Sequence, residues 1–486
     1  MLTKYKNSFF QYGTNLLALL IFWGGMLRKS FNSDTVFHMV VEDADILTRI
    51  REGRYIAALG DAVLLKFGLR TTTSISITIL TTFILLGLTM LVIQDLFAKW
   101  EPEGEWEQAG FRIGLDLVFL NVLFAENLMF GESSVYFAVA WLAAAVSVRC
   151  YARRKYPATF VMCLVAVCAY QYAAVFAAVL MAFYICMDEN MHLSSRAVLR
   201  EAGAVAICMG AGVVNLLSIW LLEWSDIIPS FSKHAGIGDI GEKLSALMDS
   251  LIRLHRDGGG ILPNLWVPLL FALGIWILII LGSFKRRDFS TLSFPVIVYV
   301  GSNLVLYVIP LMQEEFSFPP RMSFCFYLIQ GMLLACAYSM CAKRLWKALT
   351  WCGGLYLTVH LLFADFIVTN HFVSNTLDRV YINMMYEEML KYERETGITV
   401  EKLAVIDDAY APDQYEEVAY AVDQINERSL GTATYSLLLV ETGRRFERVE
   451  VPGDVYDSCF AGKDWDYFDL EEQLVIEGDT AYWCIF

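Results

Sequence analysis

The sequence predicts a polytopic α-helical membrane protein, with about eleven transmembrane helices followed by a small α/β soluble domain. Three observations predict the membrane class: apolar residues fall in long unbroken runs, charge is scarce until the C-terminal end, and basic residues gather in short loops between alternate runs. Of 486 residues, 57% are hydrophobic and 18% charged, against about 45–50% and 25% in ordinary soluble domains. The formal net charge of -15 is uneven, because 25 acidic and 9 basic residues follow Val373 and leave the apolar part nearly neutral. That balance offers no basic surface for nucleic acid. Most of the 11 cysteines lie inside apolar runs without metal-ligand spacing and read as small core hydrophobes; Cys459 and Cys484 in the tail read as thiols rather than a disulfide framework.

A helix needs about 20 mostly apolar residues to cross the hydrocarbon core. Nine runs qualify, near 9–27, 73–95, 111–130, 134–150, 201–222, 263–282, 293–311, 323–341 and 349–368. Stretch 157–187 is long for one helix and short for two, and topology decides it. Arg149, Arg153, Arg154 and Lys155 precede it, Lys285, Arg286 and Arg287 follow, and Lys343, Arg344 and Lys347 come later. Short basic loops belong on the cytoplasmic side, and only two passes place all three there. A break near Tyr170-Gln171-Tyr172 therefore gives eleven spans, with Lys4 and Lys6 inside and the C-terminal domain outside. Trp23 to Arg28 lacks the small-residue pattern of a signal cleavage site, so the first run reads as an anchor.

Segment 28–70, placed outside, opposes the rule with Arg28, Lys29, Arg49, Arg51, Arg54, Lys66 and Arg70. Either Asp34, Glu42, Asp43, Asp45, Glu52 and Asp61 neutralise them, with Asp45 and Arg49 paired at i,i+4, or some of these cations meet an anion at the membrane surface, for which a lipid-linked phosphate is the natural candidate. Residues 54–68 read as an amphipathic interfacial helix. Loop 223–262, with His234, His255 and Gly258-Gly259-Gly260, reads as mobile. Residues 1–372 thus form the membrane domain and 373–486 the acidic one. In the latter, strands are expected at Lys402–Ile406, Tyr435–Val440, Phe446–Val451 and Ala481–Phe486, with a helix at Asp413–Glu427. The cluster Asp464, Asp466, Asp469, Glu471 and Glu472 reads as a carboxylate-rich helix start.

Asp34 follows the first span by a few residues, where a lipid headgroup and a water-borne acceptor can meet; it is placed either as a general base or as a solvated aspartate at a helix end. Glu42, Asp43 and Asp45 suit a divalent cation or the hydroxyls of a sugar. Charges inside spans are costly and usually have a role, which singles out Asp116, Glu126 and neighbouring Glu132. Arg321, after Pro319-Pro320, presents a fork that fits a phosphate or snorkels to lipid. Tyr170 and Gln171, at the bend, either line a groove or pack.

The chain resembles bacterial membrane glucosyltransferases of the O-antigen glucosyltransferase type II kind, within the polytopic glycosyltransferases of GT-C fold that use lipid-phosphate sugars. The resemblance rests on the loop bearing Asp34, on Arg51-Glu52-Gly53-Arg54 before an interfacial helix, on paired short helices around Tyr170-Gln171, and on Pro320-Arg321. It extends to Gly462-Lys463-Asp464-Trp465-Asp466 and Gly478-Asp479-Thr480-Ala481-Tyr482 in the tail. It implies residence in the bacterial cytoplasmic membrane, a polyprenyl-phosphate glucose donor, and a glycan or glycolipid acceptor whose hydroxyl attacks the anomeric carbon directly. Asp34 would be the base, and Arg54 and Arg321 would hold the departing phosphate. The family often pairs two acids at the Asp34 position; here Thr35 follows, which leaves Glu42, Asp43 or Asp45 to supply a second carboxylate. A lipid-linked sugar flippase or other transporter would instead show repeats and helices broken near the midplane, and a non-enzymatic scaffold would tolerate changes at Asp34 and Arg321.

Overall fold

The computed structural model describes residues 2–40, 44–229, 239–286, 290–406, 425, 428–463 and 468–485. Apolar α1 (Leu2–Trp23) is followed by three short helices, α2 (Ser33–Val40), α3 (Ala44–Arg51) and α4 (Tyr55–Lys66), before α5 (Ile75–Phe97) returns alongside α1. Gln11 donates to Gln94 across that pair at 2.9 Å. The expected interfacial helix is α4, whose Leu59 and Val63 are exposed with Phe67 just beyond, as an apolar face turned to lipid is, while Asp61 is buried against the protein.

The expected span 111–130 is not one helix. α6 (Glu105–Asp116) stops mid-run, and after irregular backbone and a single 3-10 turn the chain forms α7 (Ala125–Met129). Residues 117–133 are buried throughout. Asn121 supplies the local cause. Its side chain donates to the Leu117 carbonyl at 2.8 Å and accepts from the Phe124 amide at 3.2 Å, while the Trp23 indole donates to the Phe119 carbonyl at 2.9 Å. The backbone groups freed by the break are thus bound by side chains.

α8 (Ser134–Ala152) packs on α5, and the next two helices, α9 (Tyr156–Ala169) and α10 (Ala173–Asp188), meet at the anticipated bend over residues 170–172. α11 (Ser195–Trp224) follows. The described part of the loop read as mobile contains α12 (Ile240–Asp257), pinned by Lys243, whose ammonium donates to the Leu311 carbonyl at 3.3 Å; His234 lies outside the described residues. α13 (Val267–Arg286), α14 (Ser290–Val305), α15 (Val308–Met312), α16 (Pro320–Ser323) and the deeply buried α17 (Cys325–Met340) complete the bundle, and α18 (Trp346–Thr396) is one helix of 51 residues that runs through the expected 372/373 boundary. Gly114 of α6 and Gly331 of α17 bring two backbones into contact, such that a Cβ at Gly331 would lie 2.0 Å from the Gly114 carbonyl oxygen.

By length and composition six helical stretches suit a membrane crossing: Ser8–Leu27, Thr72–Trp100, Ser134–Ala152, Ser195–Trp224, Pro320–Met340 and Lys343–Thr396. Four shorter apolar helices accompany them. The chain is a helical membrane protein with a small sheet near its C-terminus.

That sheet contains β1 (Lys402–Ile406), β2 (Glu447–Arg448), β3 (Leu474–Glu477) and β4 (Thr480–Cys484) in the order β2-β1-β4-β3, with β1 parallel to both neighbours and β3 antiparallel to β4. The expected strand Tyr435–Val440 is helical instead. A turn, α19 (Ser429–Thr432), leads into α20 (Thr434–Thr442), whose Leu437 and Leu438 are buried; a short apolar run cannot distinguish strand from helix by period. The expected strand Phe446–Val451 is reduced to β2. Two short helices, α21 (Gly453–Cys459) and α22 (Leu470–Gln473), lie before β3, and Asp469 caps the second by accepting from the Glu471 amide at 3.1 Å. Residues 413–424, 426 and 427 of the expected helix, with Asp464 and Asp466, lie outside the described residues.

Candidate functional site at the broken helix

The break between α6 and α7 carries Glu126 to the interior end of Arg321. Glu126 is fully buried, and its carboxylate accepts from both the Arg321 guanidinium and the Arg321 backbone amide. The Arg321 guanidinium also lies 5.0 Å from the centre of the Phe130 ring. The Pro319-Pro320 pair explains this placement: Pro320 opens α16 at a position where a missing N–H costs nothing, and it sets Arg321 in the first turn.

Tyr170 is the second wall. Its ring lies 5.6 Å from the Arg54 guanidinium, and Arg321, Arg54 and Glu126 are all within electrostatic reach of its hydroxyl. Below it Trp141, Phe137, Phe176 and Phe324 form an aromatic floor, with Trp141 and Tyr170 edge to face at 5.5 Å. Gln171 donates to the Glu52 carbonyl, which fastens the bend to the segment before α4. Glu52 in turn pairs with Arg54 at 3.0 Å. Two cations, one carboxylate and one phenol, separated by more than 100 residues at the extremes, thus share one locus.

Glu132 has a different task. Its carboxylate accepts from the Thr35 hydroxyl at 2.6 Å and from the Ser133 hydroxyl at 2.9 Å. Behind it Arg49 donates to the Glu132 carbonyl at 3.3 Å and to the Ser133 hydroxyl at 3.2 Å, and meets Asp61 at 2.5 Å; Asp61 also accepts from the Tyr136 hydroxyl at 2.5 Å. Burial pulls the Arg49 pKa down, but Asp61 and then Glu132 outweigh it and leave it raised, so the guanidinium stays charged. Arg49 is therefore the buried partner of Asp61; the side chain of Asp45, its expected i,i+4 partner, lies outside the described residues.

Asp34 sits exposed in the first turn of α2. Asn32 caps that helix by accepting from the Thr35 amide at 2.8 Å. Asp34 is thereby one residue from the Thr35–Glu132 bond that joins α2 to the turn following α7, the helix that bears Glu126. Glu42, Asp43 and the side chain of Asp45 lie outside the described residues, and among the described residues no three His, Cys, Asp or Glu side chains converge as a metal site.

Sequence reasoning singled out Asp34, Arg54, Glu126, Glu132, Tyr170, Gln171 and Arg321, and the structure brings Arg54, Glu126, Tyr170 and Arg321 together. It missed Thr35, Arg49 and Tyr136. It also missed Asn127, which is buried with neither amide atom hydrogen-bonded to the protein; its only signal was a polar side chain beside Glu126 in an apolar run. Asp116 stands apart near the opposite end of the bundle, where it accepts from Gln94 at 2.7 Å. A cavity of about 240 Å³ there is lined by two closed ion pairs, Arg112 with Glu101 at 2.5 Å and Arg149 with Asp95 at 2.6 Å.

No protein-family model, curated protein or solved structure matches the chain.

Proposed function

We propose that the protein is a membrane glycosyltransferase that moves a sugar, glucose on the resemblance, from a polyprenyl-phosphate donor to a glycan or glycolipid acceptor at the extracytoplasmic face of a bacterial cytoplasmic membrane. Eleven spans, an inside N-terminus and an outside C-terminal domain belong to this reading. The observation that carries it is the convergence of Arg54 and Arg321 beside Tyr170 and Glu126, at the end of the bundle where α2 presents Asp34. A guanidinium matches phosphate with paired donors and keeps its charge at any physiological pH. Two of them beside a cluster of aromatic rings suit a lipid phosphate, which gains negative charge as its bond to the anomeric carbon breaks.

In this mechanism the acceptor hydroxyl attacks the anomeric carbon from the face opposite the phosphate, its proton passes to the Asp34 carboxylate, and the carbon–oxygen bond to phosphate breaks with inversion. Glu126 orients Arg321, and Glu52 orients Arg54. Thr35 and Glu132 fix the start of α2. A divalent cation, if bound, draws on carboxylates such as Glu42, Asp43 and Asp45, and no step above requires it.

The test is transfer of glucose from synthetic polyprenyl-phosphate glucose by the full chain in lipid, over a panel of polysaccharide and glycolipid acceptors. Asp34→Asn is expected to lower the rate by at least about a hundredfold with the protein still folded, whereas transfer that persists removes Asp34 as base. A second reading, a lipid-linked sugar flippase or other transporter, is favoured by one observation, the break between α6 and α7 at membrane depth. Donor lipid moved between leaflets of a vesicle without transfer would establish it.

A further inference from the structure

The C-terminal domain is not suspended from α18 but packs on the helix that carries Asp34. α20 lies against α2, and α19 touches it as well. One side chain joins the three elements involved. Arg379, on α18, holds its guanidinium 5.1 Å from the centre of the Phe31 ring, just before α2, and pairs with Glu441 of α20 at 3.1 Å. One turn earlier on α18, Asn375 accepts from the Phe31 backbone amide at 2.5 Å. Between them Asp378 accepts from Arg428 and from the Ser429 amide, the latter at 2.7 Å, which ties the approach to α20 onto the same stretch.

From this junction we infer that Arg379 is a positioning residue: it locks the C-terminal domain onto α2 and so makes that domain a working part of the Asp34 site. The inference rests on the proposed role of Asp34 and extends it. α2 has only eight residues, and an isolated helix that short is marginal in water. Its order must come from what it touches. On one side that is Glu132 through Thr35, and on the other α20, clamped through Glu441, Arg379 and Phe31. A carboxylate on such a helix reaches a reacting hydroxyl reproducibly only while both sides hold, and a displacement of about 1 Å costs on the order of a hundredfold in rate.

The experiment uses the full chain in lipid with Arg379→Gln, Arg379→Lys and Glu441→Gln. Hydrogen exchange is read at the α2 amides, with α5 and α8 as internal controls, and transfer from polyprenyl-phosphate glucose is read as separate kcat and donor KM. Arg379→Gln is expected to speed α2 exchange by about threefold to tenfold, as loss of a partly exposed ion pair together with a ring contact allows, and to lower kcat by a comparable factor with donor KM nearly unchanged. Glu441→Gln should act in the same direction, and Arg379→Lys, which keeps the charge, should retain part of both. Unchanged α2 exchange in Arg379→Gln and Glu441→Gln overturns the clamp. Faster exchange with unchanged kcat overturns positioning. If the parent transfers nothing, the glycosyltransferase reading fails, and exchange alone then decides whether Arg379 holds α2.

Discussion

Among single side chains, burial decides which ion pairs matter. Asp378 and Arg428 have side chains 1% and 4% exposed, whereas Arg54 and Glu52 are about a quarter exposed. Removing one partner of the first pair strands a buried charge, which typically costs about 3–5 kcal/mol; an exposed pair is worth about 0–1 kcal/mol. Arg428→Gln is therefore expected to lower the unfolding midpoint of the C-terminal domain clearly in a thermal scan, and Glu52→Gln to leave it nearly unchanged. Glu393 gives a pH-dependent counterpart. The Arg444 side chain, aided by the Val400 amide, holds its carboxyl below the ordinary carboxylate range despite an opposing effect of burial. A depressed carboxylate adds stability above its unfolded pKa, near 4.3 for Glu, and loses it as the pH falls through its lower folded value. Protection of the Val400 amide, corrected for intrinsic exchange, should accordingly persist at neutral pH and be lost in acid only below the ordinary carboxylate range. Arg321 and Glu126 were legible in the sequence as charges in apolar surroundings. Arg49 with Asp61 was not, because a pair twelve residues apart on two successive short helices follows no helical or strand period.

Helix breaks and helix contacts govern the next level. The bend at Tyr170 was legible because charge topology demanded two passes in an apolar stretch of awkward length. The break after Asp116 was not, since Leu117 to Met129 is apolar enough to continue the span; Asn121 carried the signal, as a side chain able to bind its own freed backbone. Replacing it with leucine removes the side-chain donor from the Leu117 and Val118 carbonyls, while the Phe124 amide keeps its backbone bond to the Asn121 carbonyl; a lost partner costs about 1–3 kcal/mol before relaxation, and the resulting fall in stability should appear in a denaturation series in detergent. The contact of α6 with α17 has a sharper consequence. These two helices lead to Glu126 and Arg321 respectively, so the Gly114–Gly331 approach sets how closely that ion pair can meet. Gly331→Ala drives a Cβ into the Gly114 carbonyl, an overpacking typically worth about 1–3 kcal/mol. Transfer activity is expected to fall in this variant even where it folds, and Gly301→Ala, with open space at its Cβ, should serve as the neutral control.

For the molecule as a whole, hydropathy and charge conveyed the membrane class and the acidic tail, but not how the tail is seated, because docking depends on side chains such as Arg379 that read as ordinary surface charges on a helix. α18 itself has a consequence of another kind. Its 51 residues make about 77 Å, more than twice the hydrocarbon thickness of about 30 Å, and the domain is fastened to it at two places, Asp378 and Glu393. Those anchors are about four turns apart, so their angular phase is fixed by the number of residues between them. One inserted residue rotates one anchor by about 100° relative to the other, and the domain could then engage either Asp378 or Glu393 but not both. Removing seven residues nearly restores the phase while shortening the separation by about 10 Å. The long helix therefore works as a vernier, in which spacing along the chain selects a rotational setting of the domain over the bundle.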